Sequence, residues 1–242
     1  MGMRTTEHKT SGVWPTLELV VARYAEDLLW LRRVPRRFRV TVYDKGAEDP
    51  VLPQRHHLTR VQIPNRGREE YGYLRHILDR YDDLADITVF SQGKPFDHVP
   101  DFHKQLHALA FHQLAVADFH WLGFIIDEDD AEGRLLFQRW ACNPEVDTLP
   151  MKEFWNELFA EAPPHVKTFY PSAHFAVTAE CVRRRPREFY QRALQLSAEL
   201  PHAGHCFERV WDAVFGVDGI PPDYRLQPKP IYLRKIRAQR RS

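Results

Sequence analysis

No stretch of the chain approaches the roughly 20 apolar residues that a membrane-spanning helix needs, and the leader MGMRTTEHKT lacks the apolar core of a secretory signal. These absences predict a soluble, cytoplasmic protein with no membrane partner. Cysteine is scarce: Cys142, Cys181 and Cys206 are odd in number and far apart, with no CxxC pair. That usage fits a reducing compartment and argues against a disulfide frame and a thiolate zinc site. No GxGxxG, GxxxxGK[ST] or GxSxG occurs, which removes the common signatures of dinucleotide binding, P-loop triphosphate binding and a hydrolase nucleophile. Net charge is nearly absent as well, at +1 from 34 Lys+Arg against 33 Asp+Glu. A wholly basic nucleic-acid coat and an acidic disordered chain are both excluded.

What is present is the composition of a globular protein. Hydrophobic residues make up 43%, aromatics 12% and charged residues 28% of 242, enough for a real core and, at this length, for one large α/β domain. The near-zero charge hides a split. From Arg225 to Ser242 the chain carries seven basic residues and no acid, while residues 1–224 hold 27 basic and 33 acidic residues, or −6. Such a tail is either a solvated end or a surface for the phosphates of RNA or lipid, with Arg234, Lys235, Arg237, Arg240 and Arg241 as the RNA-binding candidates. Ile231, Tyr232, Leu233 and Ile236 supply apolar surface for part of it to dock. The expected organisation is a flexible leader over 1–15, a catalytic α/β domain over 16–220, and a Pro-rich linker with the basic tail over 221–242.

The order of elements follows from periodicity. Thr16–Ala22 reads as a buried strand, Glu26–Arg33 as a helix, and Phe38–Tyr43 as a second strand closed by the turn signal Asp44-Lys45-Gly46. Leu58–Ile63 is a third strand, ending at Pro64. Arg68–Asp82 is the clearest helix, with Tyr73, Leu74, Ile77, Leu78 and Tyr81 on one face. Ile87–Phe90 is a β-branched strand ending at Ser91-Gln92-Gly93-Lys94-Pro95. In the second half, Phe102–Phe119 reads as a helix, Asp127–Glu132 as an acidic loop, Met151–Phe159 as a short helix, His174–Val177 as a strand, and Pro186–Leu200 and Cys206–Phe215 as helices. Alternating strands and helices predict a single Rossmann-like α/β domain, with a mostly parallel sheet, helices on both faces and a helical C-terminal part. Ligands of such sheets sit beyond the carboxyl ends of the strands. The loops at Arg23–Asp27, Asp44–Gly46, Asn65–Glu69 and Ser91–His98 should therefore share one crevice.

Several side chains in these segments are equipped for chemistry. Glu69 and Glu70 open a helix, where a carboxylate either binds substrate or simply complements the helix dipole. Asp97 and His98 follow a buried strand, as a carboxylate–imidazole pair for acid–base chemistry or for binding a cation, or as a structural turn. His103 and His107 are spaced i, i+4, yet HExxH is missing, so the zinc reading is weak. Asp127-Glu128-Asp129-Asp130 lacks the glycine and alternating ligands of a calcium loop and reads as solvated. Glu208, among Phe207, Val210, Trp211 and Phe215, is either a buried carboxylate needing a partner or a surface residue. His174 is either a satisfied core histidine or a site residue.

At VVARYAEDLLWL, VYDKG, IPNRGREEYGYLRHILDRYDDLADITVFSQGKPFDH, HFAVTAECVRRRPREFYQRAL and GHCFERVWDAVFG, over about residues 17–217, the chain resembles a family catalogued as a domain of unknown function. That family in turn resembles nucleotide-sugar glycosyltransferases of the A-type fold. Where those enzymes carry an Asp-x-Asp metal motif, this chain reads Ser91-Gln92-Gly93, so no carboxylate pair is available there to hold a metal against a diphosphate. The family is also similar to arginine-containing cyclodipeptide synthases, which join amino acids taken from aminoacyl-tRNAs into a diketopiperazine.

The resemblance implies arginyl-tRNA and a second aminoacyl-tRNA as partners, no cofactor and no metal, because the ester itself is activated. It further implies an acidic pocket for a guanidinium and a basic surface for tRNA, for which Arg32, Arg33, Arg36, Arg37 and Arg39 stand beside the tail. The catalytic candidates are Glu69, His98 and Glu208, with helix-start amides near Gly67 as oxyanion donors. Arg23, Glu26, Asn65, Arg68, Glu70, Ser91, Gln92, Asp97 and His174 are the substrate-binding candidates, with Ser91 also a possible acyl-accepting nucleophile. The competing expectations are a glycosyltransferase and a non-catalytic RNA- or nucleotide-binding module.

Overall fold

The computed structural model describes residues 14–136 and 148–233. Four strands build its first half: β1 (Leu17–Arg23), β2 (Phe38–Asp44), β3 (Leu58–Gln62) and β4 (Ile87–Gln92). They pair in parallel in the order β3-β2-β1-β4. Every residue of β1 is buried, as a strand covered on both faces must be. Leu17, Leu19 and Val21 enter one core, and Val20 and Ala22 enter the other. The helix α1 (Glu69–Arg80) crosses from β3 to β4, burying Tyr73, Leu74 and Ile77 in the second core. This crossover places β4 on the far side of β1, so the strand order reverses between β1 and β4.

Beyond β4 the sheet becomes mixed: β8 (Phe175–Thr178) runs antiparallel to β4, and β5 (Phe119–Trp121) antiparallel to β8. The first face is covered by α2 (Phe102–Ala110), the second by α1 with α3 (Met151–Phe159), α5 (Arg187–Glu199) and α6 (Ala203–Val214). The short α4 (Ala179–Arg183) is capped by the Thr178 hydroxyl, which accepts from the Cys181 amide. A second sheet, β7-β6-β9, joins β6 (Ile125–Asp130), β7 (Val166–Phe169) and β9 (Ile231–Tyr232) in antiparallel pairs. Among the described residues no helix is long and apolar enough to cross a membrane.

Four expected elements differ. Glu26–Arg33 is not an α-helix but one 3₁₀ turn over Leu29–Arg33, because Pro35 holds Val34 in an extended conformation and stops the helix. The helix from Phe102 ends at Ala110 rather than Phe119. His112 takes a left-handed φ of +57°, and the amides of His112 and Gln113 return to the carbonyls of Leu109 and Ala108, a Schellman stop. The acidic run is not a solvated loop. It forms β6, where Asp129 is fully buried against an equally buried Arg209 at 2.6 Å, a pairing whose partner lies 80 residues away. The strand β4 also runs on to Gln92, taking Ser91 into the sheet. Ile231 and Tyr232 dock on β6 as β9, whereas Ile236 and the candidates Arg234, Lys235, Arg237, Arg240 and Arg241 lie outside the described residues.

Candidate active site

The carboxyl ends of β1, β2 and β4 and the start of α1 enclose a cleft of about 450 Å³ at the point where the strand order reverses. The end of β1 and the loop after it contribute Arg23, Tyr24 and Glu26, and the turn after β2 contributes Lys45. The approach to α1 adds Asn65, Gly67, Arg68 and Glu69, and the segment after β4 adds Gln92, Lys94, Asp97 and His98. In open parallel sheets, ligands sit beyond the carboxyl ends of the strands at such a point.

The α1 wall is held from within. Lys45 is 8% exposed, and its Nζ donates to the carbonyls of Arg66 (2.7 Å), Gly67 (3.1 Å) and Arg68. Burial pushes its pKa down, while the carboxylates of Glu70 and Glu69 pull it back; three accepted N–H bonds require the full ammonium. Gly67 sits at φ +56°, and a Cβ there would come 2.7 Å from Glu70 Oε1 and 2.8 Å from the Ser197 carbonyl. Only glycine allows that approach.

Glu70 lies under this loop, 1% exposed. Its Oε1 accepts from the Arg68 amide at 2.9 Å, and its Oε2 has no hydrogen-bond partner. Burial, then the charge of Glu69, push the Glu70 pKa up to about 7. Glu70 therefore orders the loop and does not line the cleft, and the Arg68 amide it occupies is not free to receive an oxyanion. Glu69 remains at the cleft with its side chain 11% exposed, 3.7 Å from Arg68 Nε.

The floor is a buried hub. Asp44 accepts from Arg23 and Arg60 at 2.8 Å each and from the Gly46 amide at 2.9 Å. Arg23 also donates to the carbonyls of Glu26 and Glu48. Its guanidinium is thus committed to the frame. Glu26 accepts from the amides of Tyr24 and Ala25 and packs on Gly93, where a Cβ would lie 2.7 Å from Glu26 Oε2.

The β4 wall is more open. Lys94 and Asp97 pair at 2.9 Å while 67% and 59% exposed, and His98 beside them is exposed. Behind His98, at 6.0 Å between ring centroids, lies His174, which is fully buried with Nδ1 against the Ser172 hydroxyl and Nε2 unpartnered. Burial, reinforced by His98, lowers the His174 pKa to about 3, so it is neutral.

Four sequence candidates thus do not reach the cleft. Glu70 and His174 lie beneath it. Ser91 is buried within β4, and its hydroxyl donates to the Gln92 carbonyl, so it is not placed as a nucleophile. Glu208 on α6 sits one layer away, 3.8 Å from His205, whose ring in turn meets Arg68 Nη1 at 3.0 Å. Burial raises the Glu208 pKa, but His205, Arg209 and Arg68 outweigh it and the net shift is downward, which makes it a weak base.

The buried thiols Cys181 and Cys206 are pushed up to about 11 and about 12 by burial, so neither is an activated nucleophile. Among the described residues no group of three or more His, Cys, Asp or Glu is placed to hold a metal ion. His103 instead meets the Trp30 carbonyl at 3.1 Å, and His107 stacks on Phe111.

A family comparison matches residues 19–225, from β1 to the turn beyond α6. The chain belongs to the family described as protein of unknown function (DUF3431). A comparison with curated proteins returns no match. The DUF3431 span includes every segment of the cleft and excludes β9 and the tail after Arg225.

Lys45, Tyr24 and Lys94 are the polar cleft residues that sequence reasoning did not select. Lys45 had a usable signal, since it stands at the carboxyl end of a parallel strand, but Asp44-Lys45-Gly46 reads first as a turn.

Proposed function

We propose that this DUF3431 chain is an aminoacyl transferase of the cyclodipeptide-synthase type, joining arginine from arginyl-tRNA to a second amino acid. The observation that carries the reading is the make-up of the switch-point cleft. It presents the carboxylates of Glu69 and Glu26 to a small cationic group, while the end of β4, Ser91-Gln92-Gly93, has no carboxylate pair for a metal–diphosphate. A guanidinium is the natural complement of a carboxylate in a partly dry cleft.

In this reading Glu69 binds the arginyl side chain and His98 is the base, an imidazole being the side chain best suited to proton exchange near neutral pH. The α-amine of one aminoacyl group attacks the ester carbonyl of the other. A C–N bond forms, the bond to the tRNA ribose oxygen breaks, and the proton taken by His98 passes to that oxygen. A second, intramolecular attack closes the ring and releases the other tRNA. The cleft lowers the barrier chiefly by holding two activated esters together.

The glycosyltransferase reading draws on the same strand order and switch-point cleft, and is disfavoured by Ser91-Gln92-Gly93. Purified protein incubated with an aminoacyl-tRNA-generating mixture is expected to yield an Arg-containing diketopiperazine by mass spectrometry, abolished by RNase. Turnover of a nucleotide sugar with no diketopiperazine for any amino-acid partner overturns the proposal.

A further inference from the structure

The five arginines between β1 and the middle of β2 have different roles. Arg37 is internal to the fold: it donates to the Ala110 carbonyl, and its guanidinium lies 4.2 Å over the Trp14 ring. Arg39 pairs with Glu18 at 3.1 Å. Arg32, Arg33 and Arg36 are exposed, and among the described residues none of their side chains has a hydrogen bond or an ion pair. Exposed arginines in a chain with this many acids commonly find a carboxylate, so three adjacent ones without a partner form a concentrated positive field.

The turn that carries them is held from below by a further arginine. Arg55 donates to the carbonyls of Val34 (2.6 Å), Pro35 (2.6 Å) and Phe38 (2.8 Å). Burial and the nearby Arg36 charge both work against this placement, lowering the Arg55 pKa. Arg55 thereby fixes the backbone from which Arg32, Arg33 and Arg36 project, so that only the three side chains remain to be ordered on binding. The turn is also tied to the cleft, because the Trp30 indole donates to the Gly93 carbonyl at 2.8 Å, in the segment bearing Lys94 and His98. Val34 and Pro35 between the three arginines are buried, which leaves no apolar side chain among them to enter a lipid layer.

We infer that Arg32, Arg33 and Arg36 form a preorganised phosphate-binding surface for the RNA helix of a tRNA, independent of the basic tail. The choice of tRNA rests on the aminoacyl-transfer reading. Double-helical RNA is gripped mainly through its phosphates and 2′-hydroxyls, and a surface beside the cleft suits an acceptor stem whose 3′ end enters it.

The test is anisotropy of a fluorescein-labelled tRNA with the full chain, across a potassium chloride series. The triple variant Arg32→Glu, Arg33→Glu, Arg36→Glu is compared with charge-matched Arg75→Glu, Arg80→Glu, Arg192→Glu on the other face, all checked for folding by circular dichroism. The expected result is a Kd weakened about tenfold or more at about 0.1 M salt in the first variant only, with the salt slope reduced by about three. A chain ending at Leu233 is expected to keep that difference.

An equal loss in both triple variants, an unchanged Kd in the first, or tRNA binding abolished by the truncation alone each overturns the inference. So does a loss seen with phosphatidylserine vesicles and not with tRNA. Arginine-dependent tRNA binding without any diketopiperazine overturns the acyl-transfer reading and leaves the surface standing. Diketopiperazine formed at the wild-type rate by the first variant at subsaturating tRNA overturns the surface alone.

Discussion

The two walls of the cleft are built differently. On the α1 side, Lys45 and Glu70 are buried, and the loop backbone is gripped through three successive carbonyls and one amide. On the β4 side, Lys94, Asp97 and His98 stand in solvent around one exposed ion pair. The first wall has its geometry set before any ligand arrives, whereas the second offers groups that can adjust and exchange protons. The proposed binding by Glu69 and proposed proton transfer by His98 fit that division.

Variants that strike one wall at a time separate the two roles. On the open wall, His98→Ala is expected to lower kcat/KM by about 10²–10⁴-fold, the usual contribution of a general base, while shifting unfolding free energy by less than about 0.5 kcal/mol. A loss of stability equal to the loss of activity would contradict the division. Acid strikes what lies behind both walls. His76 on the buried side of α1 and His174 behind His98 have pKa values lowered by burial to about 4 and about 3. Both are neutral in the fold and protonate in the unfolded chain below about 6.5. Their contribution, on the order of 3 kcal/mol each, is therefore complete above about pH 6.5 and lost as pH falls toward 3 to 4.

Glu70 works the other way: its raised pKa favours the fold at low pH, and that contribution is lost between about 4.5 and 7 as pH rises. Glu70→Gln, which keeps the Oε1 acceptor, is expected to steepen the acid loss in urea titrations at successive pH values. An unchanged slope would show that Glu70 titrates normally.

On the rigid wall, Gly67→Ala places a methyl group against Glu70 and Ser197 at positive φ; a loss of about 2–4 kcal/mol is expected in chemical denaturation. Lys45→Met removes three bonds to loop carbonyls, with about 2 kcal/mol lost and a raised KM for arginyl-tRNA. Lys94→Ala is expected to cost less than about 1 kcal/mol, as exposed pairs do, and a larger loss by thermal melting would erase the contrast between the walls.

Much of this was legible beforehand because it depends on local rules. The apolar runs at β1, β2 and β4 and the stripe on α1 announce themselves by period, and the parallel arrangement then brings four loop segments to one crevice. Lys45 was hidden by its turn-like neighbours, since its role depends on carbonyls some 20 residues later. The run at Asp127–Asp130 looks solvated until Arg209 is brought to Asp129. Ser91 sits at what reads as a strand end, but two more residues of pairing remove it from the surface. Among the arginines of 32–39, spacing gives no sign that Arg37 and Arg39 are structural and the other three free.

The sequence by itself determined the α/β class, the order of the early strands and helix, and the segments that meet at the cleft, because hydrophobic period and turn residues act over a few neighbours. Only the tertiary structure decided which charges are committed and which remain available. That distinction depends on burial and on partners distant in the chain, and no local pattern encodes either.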